Sequence, residues 1–194
     1  MSTSRIFNYF QKLDTLLLEN DANKHSYFAI FTRRIHDALK PVSVINTSKS
    51  KILATCPKVK EALEEIAPLS MNLKACYKNT CLTVLSFAHL CASHNINLSI
   101  AHGYYMHKNL DLPLEHAWLC LESDDTTEYI DLTVQFILQQ PIDDYEYAQL
   151  GTTINYSEVT ELLALDDNRC NAWRLHKIEQ LAHLEYDKYV FRHY

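Results

Sequence analysis

The alternation of apolar and polar positions divides the chain into helices, then strands, then helices. In residues 4–19, SRIFNYFQKLDTLLLE, the residues Ile6, Phe10, Leu13 and Leu17 fall on one helical face behind a serine cap. Residues 26–40 repeat the pattern with Ile30, Phe31, Ile35 and Leu39, and Pro41 ends it. Residues 41–55 are rich in Ser, Thr and Lys, lack a period, and read as a loop. Residues 57–67 open on Pro57 and read as a short helix that Pro68 closes. The most apolar helical segment is 73–92, LKACYKNTCLTVLSFAHLCA, where Tyr77, Cys81, Val84, Leu85, Ala88 and Cys91 recur at helical spacing. This is the pattern of an embedded helix.

The period then changes. Residues 97–107, 114–122 and 128–138 read as strands, 141–156 as a loop, and the chain from Ser157 onward as helical again. No repeat, linker or low-complexity segment interrupts the 194 residues. The expectation is one α+β domain: a helical N-terminal layer over 1–70, a core over 73–138 with a buried helix on an antiparallel sheet, and a helical C-terminal layer over 157–191.

Composition narrows the function classes. The chain has only two glycines, Gly103 and Gly151, which excludes a glycine-rich phosphate loop and a dinucleotide fingerprint. A net charge of −6 argues against a surface built to hold nucleic acid. No run of about 18 apolar residues exists to span a membrane, so no membrane partner is expected. The opening MSTSRIFNYF lacks the apolar core of a secretory signal. Cys56, Cys76, Cys81, Cys91, Cys120 and Cys170 form no C-x-x-C pair and suggest no disulfide framework. Reduced thiols in the cytoplasm, or in an effector exported without a cleaved signal, fit this usage.

Ten histidines raise the question of zinc. His102 and His107 lie across a glycine at a spacing no helical zinc site uses, and His89, Cys91 and His94 splay over more than one helix face. Neither a metal nor another cofactor is expected. The pairs Asp124–Asp125, Asp143–Asp144 and Asp166–Asp167 read as turn and cap residues, not as a calcium loop.

The segment 114–133, LEHAWLCLESDDTTEYIDLT, holds ionisable groups that an apolar hairpin does not need. Along 114–122, His116, Trp118 and Cys120 share one face, and Ala117, Leu119 and Leu121 the other. A tight turn at Asp124–Asp125 sets Asp131 opposite Trp118 and diagonal to His116, within reach of a carboxylate–imidazole bond. A slip of one residue would turn Asp131 to the other face. A histidine held by a carboxylate is a base that needs a proton donor. Cys76 is the best candidate, because it lies within about the first turn of the 73–92 helix, with Asn72 one option for the cap. There the N–H groups and the helix dipole favour a thiolate. Taken singly, Cys76 reads as a small buried residue, His116 as a strand-end or satisfied histidine and Asp131 as a turn or capping group. Asn79, one turn on from Cys76, reads as a cap or as a bridge from the helix to a neighbour.

The order of these pieces is similar to the transglutaminase-like branch of the papain-like cysteine enzymes. The resemblance lies in Cys76 in "ACYKNTC", Gly103–Tyr104 in "AHGYY", His116 in "EHAWL" and Asp131 in "YIDLT", and covers roughly 73–135. It implies a papain-like core and a Cys–His–Asp triad, with Cys76 as nucleophile, His116 as base and then acid, and Asp131 as the orienting group. It further implies attack on a protein or peptide amide through a thioester. Hydrolysis (protease, amidase or deamidase) is the first expectation and acyl transfer to an amine the second. A catalytically inactive binding or scaffold module of the same fold is the alternative from another class. Two positions depart from the family pattern. Leu132 stands where proline is usual, and no glutamine or tryptophan upstream of Cys76 supplies a second oxyanion donor. Asn72, Tyr77 and Tyr105 are the candidates for that donor, and Trp118 for lining a substrate groove.

Overall fold

The computed structural model describes residues 4–19 and 27–165. Two amphipathic helices come first, α1 (Arg5–Glu19) and α2 (Tyr27–Ala38). They are followed by strands β1 (Leu39–Val42) and β2 (Val44–Ile45) and the short helices α3 (Lys51–Thr55) and α4 (Pro57–Glu61). Helical turns continue α4 to Ser70, and α5 runs from Cys76 to Ala92. Strands β3 (Asn97–His107), β4 (Leu114–Ser123) and β5 (Thr126–Ile130) form a meander. A helical turn at Thr133–Leu138, strand β6 (Tyr145–Leu150) and helix α6 (Tyr156–Leu165) complete the described chain. The fold is α+β. One six-stranded sheet has the order β1-β6-β3-β4-β5-β2, antiparallel throughout except for β2 beside β5.

Several expected boundaries move. The second helix stops at Ala38, and Leu39–Val42 pairs with β6 instead. Pro41 is tolerated there because β1 is an edge strand, where a missing N–H breaks no ladder on the outer side. The 41–55 stretch is not a loop, because Val44 and Ile45 pair with Tyr129 and Ile130 and a helix begins at Lys51. The N-terminal layer is therefore not purely helical. That helix start is held by Glu128 of β5, whose carboxylate accepts from the Ser50 hydroxyl and from the N–H groups of Lys51 and Ile52. The 128–138 strand ends at Ile130. The 141–156 loop contains a full strand, β6, which pairs with both β1 and β3. The helix expected beyond Leu165, with Cys170 and Asp166–Asp167, lies outside the described residues.

The sheet carries packed layers on both faces. Ala117, Leu119 and Leu121 of β4 join Leu98 and Ile100 of β3 against Cys81, Val84 and Cys91 of α5. Helices α1 and α2 cover the β6 side through Ile6, Phe10 and Ile35, which meet Tyr104, Met106 and Leu150. Trp118 and Cys120 face the other way, into a third cluster with Val44, Ala101, Val134 and Tyr147. Helix α5 is covered on most sides but not embedded, since Lys78, Ser86 and His89 remain exposed.

Gly103 sits at the centre of the sheet, paired with His116 on one side and Gln149 on the other. A Cβ added there would lie 2.1 Å from the Ala148 carbonyl oxygen and 2.8 Å from the Leu150 nitrogen. Both are backbone atoms of β6, so no rotamer change relieves the clash. Gly103→Ala is expected to destabilise the protein by about 2 kcal/mol or more, read as a lower urea midpoint.

Candidate active site

The β4–β5 hairpin turns at Asp124–Asp125, with Ser123 opposite Thr126 and Leu119 opposite Ile130. Asp124 takes the left-handed conformation (φ 49°) that a tight hairpin turn requires and that aspartate tolerates. Extended by one residue, this register puts Asp131 level with Trp118 and diagonal to His116. The chain leaves the strand at that point, and the geometry still closes: His116 Nε2 lies 2.6 Å from Asp131 Oδ2, with both residues buried.

Asp131 also starts the next helical turn. Its Oδ1 accepts the Val134 N–H at 3.0 Å, and its carbonyl accepts the Gln135 N–H at 3.2 Å. One side chain thus serves as both a cap and the partner of His116, and the capping bond fixes the carboxylate's rotation. Leu132, at the position where proline is usual in the resembling family, has φ −68°, the value a proline would impose. The departure therefore leaves the backbone path unaltered. Gln135 ties the turn down further, donating to the Asp131 carbonyl and accepting from the Thr47 N–H.

Cys76 is the first residue of α5 and is half-buried. The cap position is Ala75, not Asn72, and no side chain accepts from the first turn of the helix. The amide N–H groups of that first turn lie where negative charge is favoured. The Cys76 side chain is near enough to the His116 ring to raise its pKa. With Nε2 taken by Asp131, Nδ1 is the ring nitrogen left for sulfur. Burial alone would push the His116 pKa down. The Asp131 carboxylate outweighs it, helped by the bond to Cys76, and the pKa rises from 6.5 to about 10.

Asn79 links the two halves of the site. Its Oδ1 accepts from the Asn72 N–H, and its Nδ2 donates to the Asn72 carbonyl and to Thr133 Oγ1. The bridge expected at Asn79 therefore joins the segment entering α5 to the turn that follows Asp131.

The four other residues singled out in the sequence separate clearly. Asn72 is exposed, and its side-chain amide donates to the Ser70 carbonyl. Tyr77 packs against the main core. Trp118 is 0% exposed and packed in the third cluster, which leaves it no surface with which to line a groove. Tyr105 lies against His116. Its ring stacks on His116 with centroids 4.2 Å apart and planes 27° apart. Burial, then Tyr145, Cys76 and Asp131, push its pKa up to about 12, so the phenol keeps a proton to donate at neutral pH.

Tyr147 and Tyr145 were not foreseen. The Tyr147 hydroxyl donates to Asp131 Oδ2 at 3.0 Å, and the Tyr145 ring stacks on Tyr105 at 5.2 Å. The alternation in YEYAQL was the available signal for β6, but acidic neighbours and a preceding proline masked it.

None of the five described cysteines is in a disulfide. Among the described residues, no group of three His, Cys, Asp or Glu side chains is arranged to hold a metal ion. No helix among them is long and apolar enough to cross a membrane. Comparison with known proteins gives no match, whether to a family model, a curated protein or a solved structure.

Proposed function

We propose that this chain is a cysteine-dependent amide hydrolase with a transglutaminase-like, papain-like core. The observation that carries the reading is the order of groups at one point: a thiol at an open helix N-terminus, an imidazole within its reach, and a buried carboxylate 2.6 Å from the far ring nitrogen. The elements agree with the order expected of that core, with the cysteine opening a helix that packs on an antiparallel sheet, the histidine near the start of one strand and the aspartate just after the next.

The chemistry follows from the geometry. His116 and Cys76 share one proton, which the ring carries as the imidazolium while the sulfur attacks the amide carbonyl carbon. Negative charge on the carbonyl oxygen is met by the N-terminal end of the α5 dipole, with the Tyr105 hydroxyl as a second donor. The tetrahedral intermediate collapses, the C–N bond breaks, and the imidazolium proton goes to the departing amine. The thioester is then attacked by water, whose proton returns to His116, and the acid leaves as sulfur regains its charge. Asp131 holds the ring orientation through both halves.

The test is capture of the acyl-enzyme. Incubation with p-nitrophenyl acetate, followed by acid quench and peptide mass spectrometry, should place an acetyl group on Cys76, removable by hydroxylamine. Added alkylamine that diverts the acyl group to an amide would favour acyl transfer over hydrolysis. No acetyl group on Cys76 would leave the chain as a binding module of the same fold.

A further inference from the structure

The carboxylate of Asp131 is more heavily engaged than a simple triad needs. Oδ1 accepts the Val134 N–H, while Oδ2 accepts from two donors at once, His116 Nε2 at 2.6 Å and the Tyr147 hydroxyl at 3.0 Å. We infer that Tyr147 is a positioning residue of this site, whose hydroxyl tempers the Asp131 carboxylate and so sets how readily the His116 imidazolium gives up its proton. The inference rests on the triad reading proposed above.

Tyr147 is well placed for this. It lies on β6 between two strands, opposite Val42 of β1 and Tyr105 of β3. Its ring is fixed edge-on to Trp118, with centroids 5.3 Å apart at 72°. Burial and then the neighbouring Asp131 carboxylate hold its pKa well above the ordinary value, so the hydroxyl remains a donor and does not compete with His116 as a base. The titratable neighbours that face His116 are Asp131 and Cys76, with the Tyr105 ring stacked on it. Those facing Tyr147 are Asp131, Tyr145 and Tyr105. Beside His116 and the Val134 N–H, the Tyr147 hydroxyl is the further donor on the carboxylate, and it disperses the Asp131 charge.

The consequence is chemical. A carboxylate whose charge is shared by a second donor attracts the imidazolium less strongly. The imidazolium is then a better acid toward the leaving amine than it would be with Asp131 held by His116 and Val134 alone. Removing the hydroxyl should strengthen the His116–Asp131 pair, make the ring more basic and slow leaving-group protonation. A purely packing role predicts none of this.

The experiment is an NMR titration of the His116 imidazole in the full-length, histidine-labelled protein. Tyr147→Phe keeps the ring and its packing, and should raise the His116 midpoint by about one pH unit. Replacing Tyr147 with 3-fluorotyrosine gives a stronger donor and should lower the midpoint. It also serves as the measurement if the Phe variant fails to fold. A midpoint that stays in place or falls in Tyr147→Phe, or that does not fall with fluorotyrosine, overturns the role assigned to Tyr147. A wild-type midpoint near 6.5 would instead sink the triad reading on which the inference stands.

Discussion

His116→Ala is expected to slow iodoacetamide alkylation of Cys76 at pH 6.5 about a hundredfold, while leaving the labelling of Cys56 unchanged. The size follows from what the ring supplies. A positioned base that shares or removes the thiol proton contributes about 10²–10⁴ in rate, and the variant lacks it. Cys56 is the internal control, because it is also half-buried and lies at the junction of α3 and α4, against the Thr55 hydroxyl. Rates are read by quantitative mass spectrometry of the two cysteine-containing peptides. Equal rates in wild type and variant would mean that the bond between the ring and the thiol does no chemical work.

Asp131→Ala should be among the most destabilising single changes in the chain, costing about 3–5 kcal/mol. It leaves three donors without an acceptor in the interior: the His116 ring, the Tyr147 hydroxyl and the Val134 N–H. For a chain of this length, that corresponds to a fall in Tm of about 10 °C. Asp131→Asn should cost less, because an amide oxygen can still cap Val134. The pH dependence gives a separate signature. The His116 pKa is raised from 6.5 to about 10 in the folded protein, since Asp131 outweighs the burial that would lower it. The folded state therefore holds a proton that the unfolded chain releases. The stabilisation is complete below pH 6.5, declines by about 1.4 kcal/mol per pH unit above it, and is lost as pH passes the folded value. Urea melts across pH 6–10 should show this decline in wild type and not in Asp131→Asn.

How much of this could be read from the sequence depends on how local each determinant is. The hairpin was legible because its turn is written in two adjacent aspartates and its faces in strict alternation. Those two features alone placed Asp131 diagonal to His116. Cys76 was legible because an apolar helical run begins beside it. What stayed hidden was decided by distant partners. Val134, Phe136 and Ile137 favour strands by propensity, yet the Asp131 side chain takes the Val134 N–H and turns the segment helical. The edge strands β1 and β2 are too short to announce themselves, and exist because β6 and β5 offer open ladders. Strand β6 itself is set beside β3 by the absent side chain of Gly103. Tyr147 was invisible for the same reason, because its meaning depends on a strand pairing that no local pattern records.

The central claim is that sulfur, imidazole and carboxylate act as one unit at the start of α5. It is tested most directly by competitive alkylation of the native protein with limiting iodoacetamide between pH 5.5 and 8. The account predicts that Cys76 is modified well ahead of Cys56 at the acidic end, with the lead narrowing as ordinary thiols ionise. Modification of the two at the same rate at pH 6, rising together with pH, would contradict it.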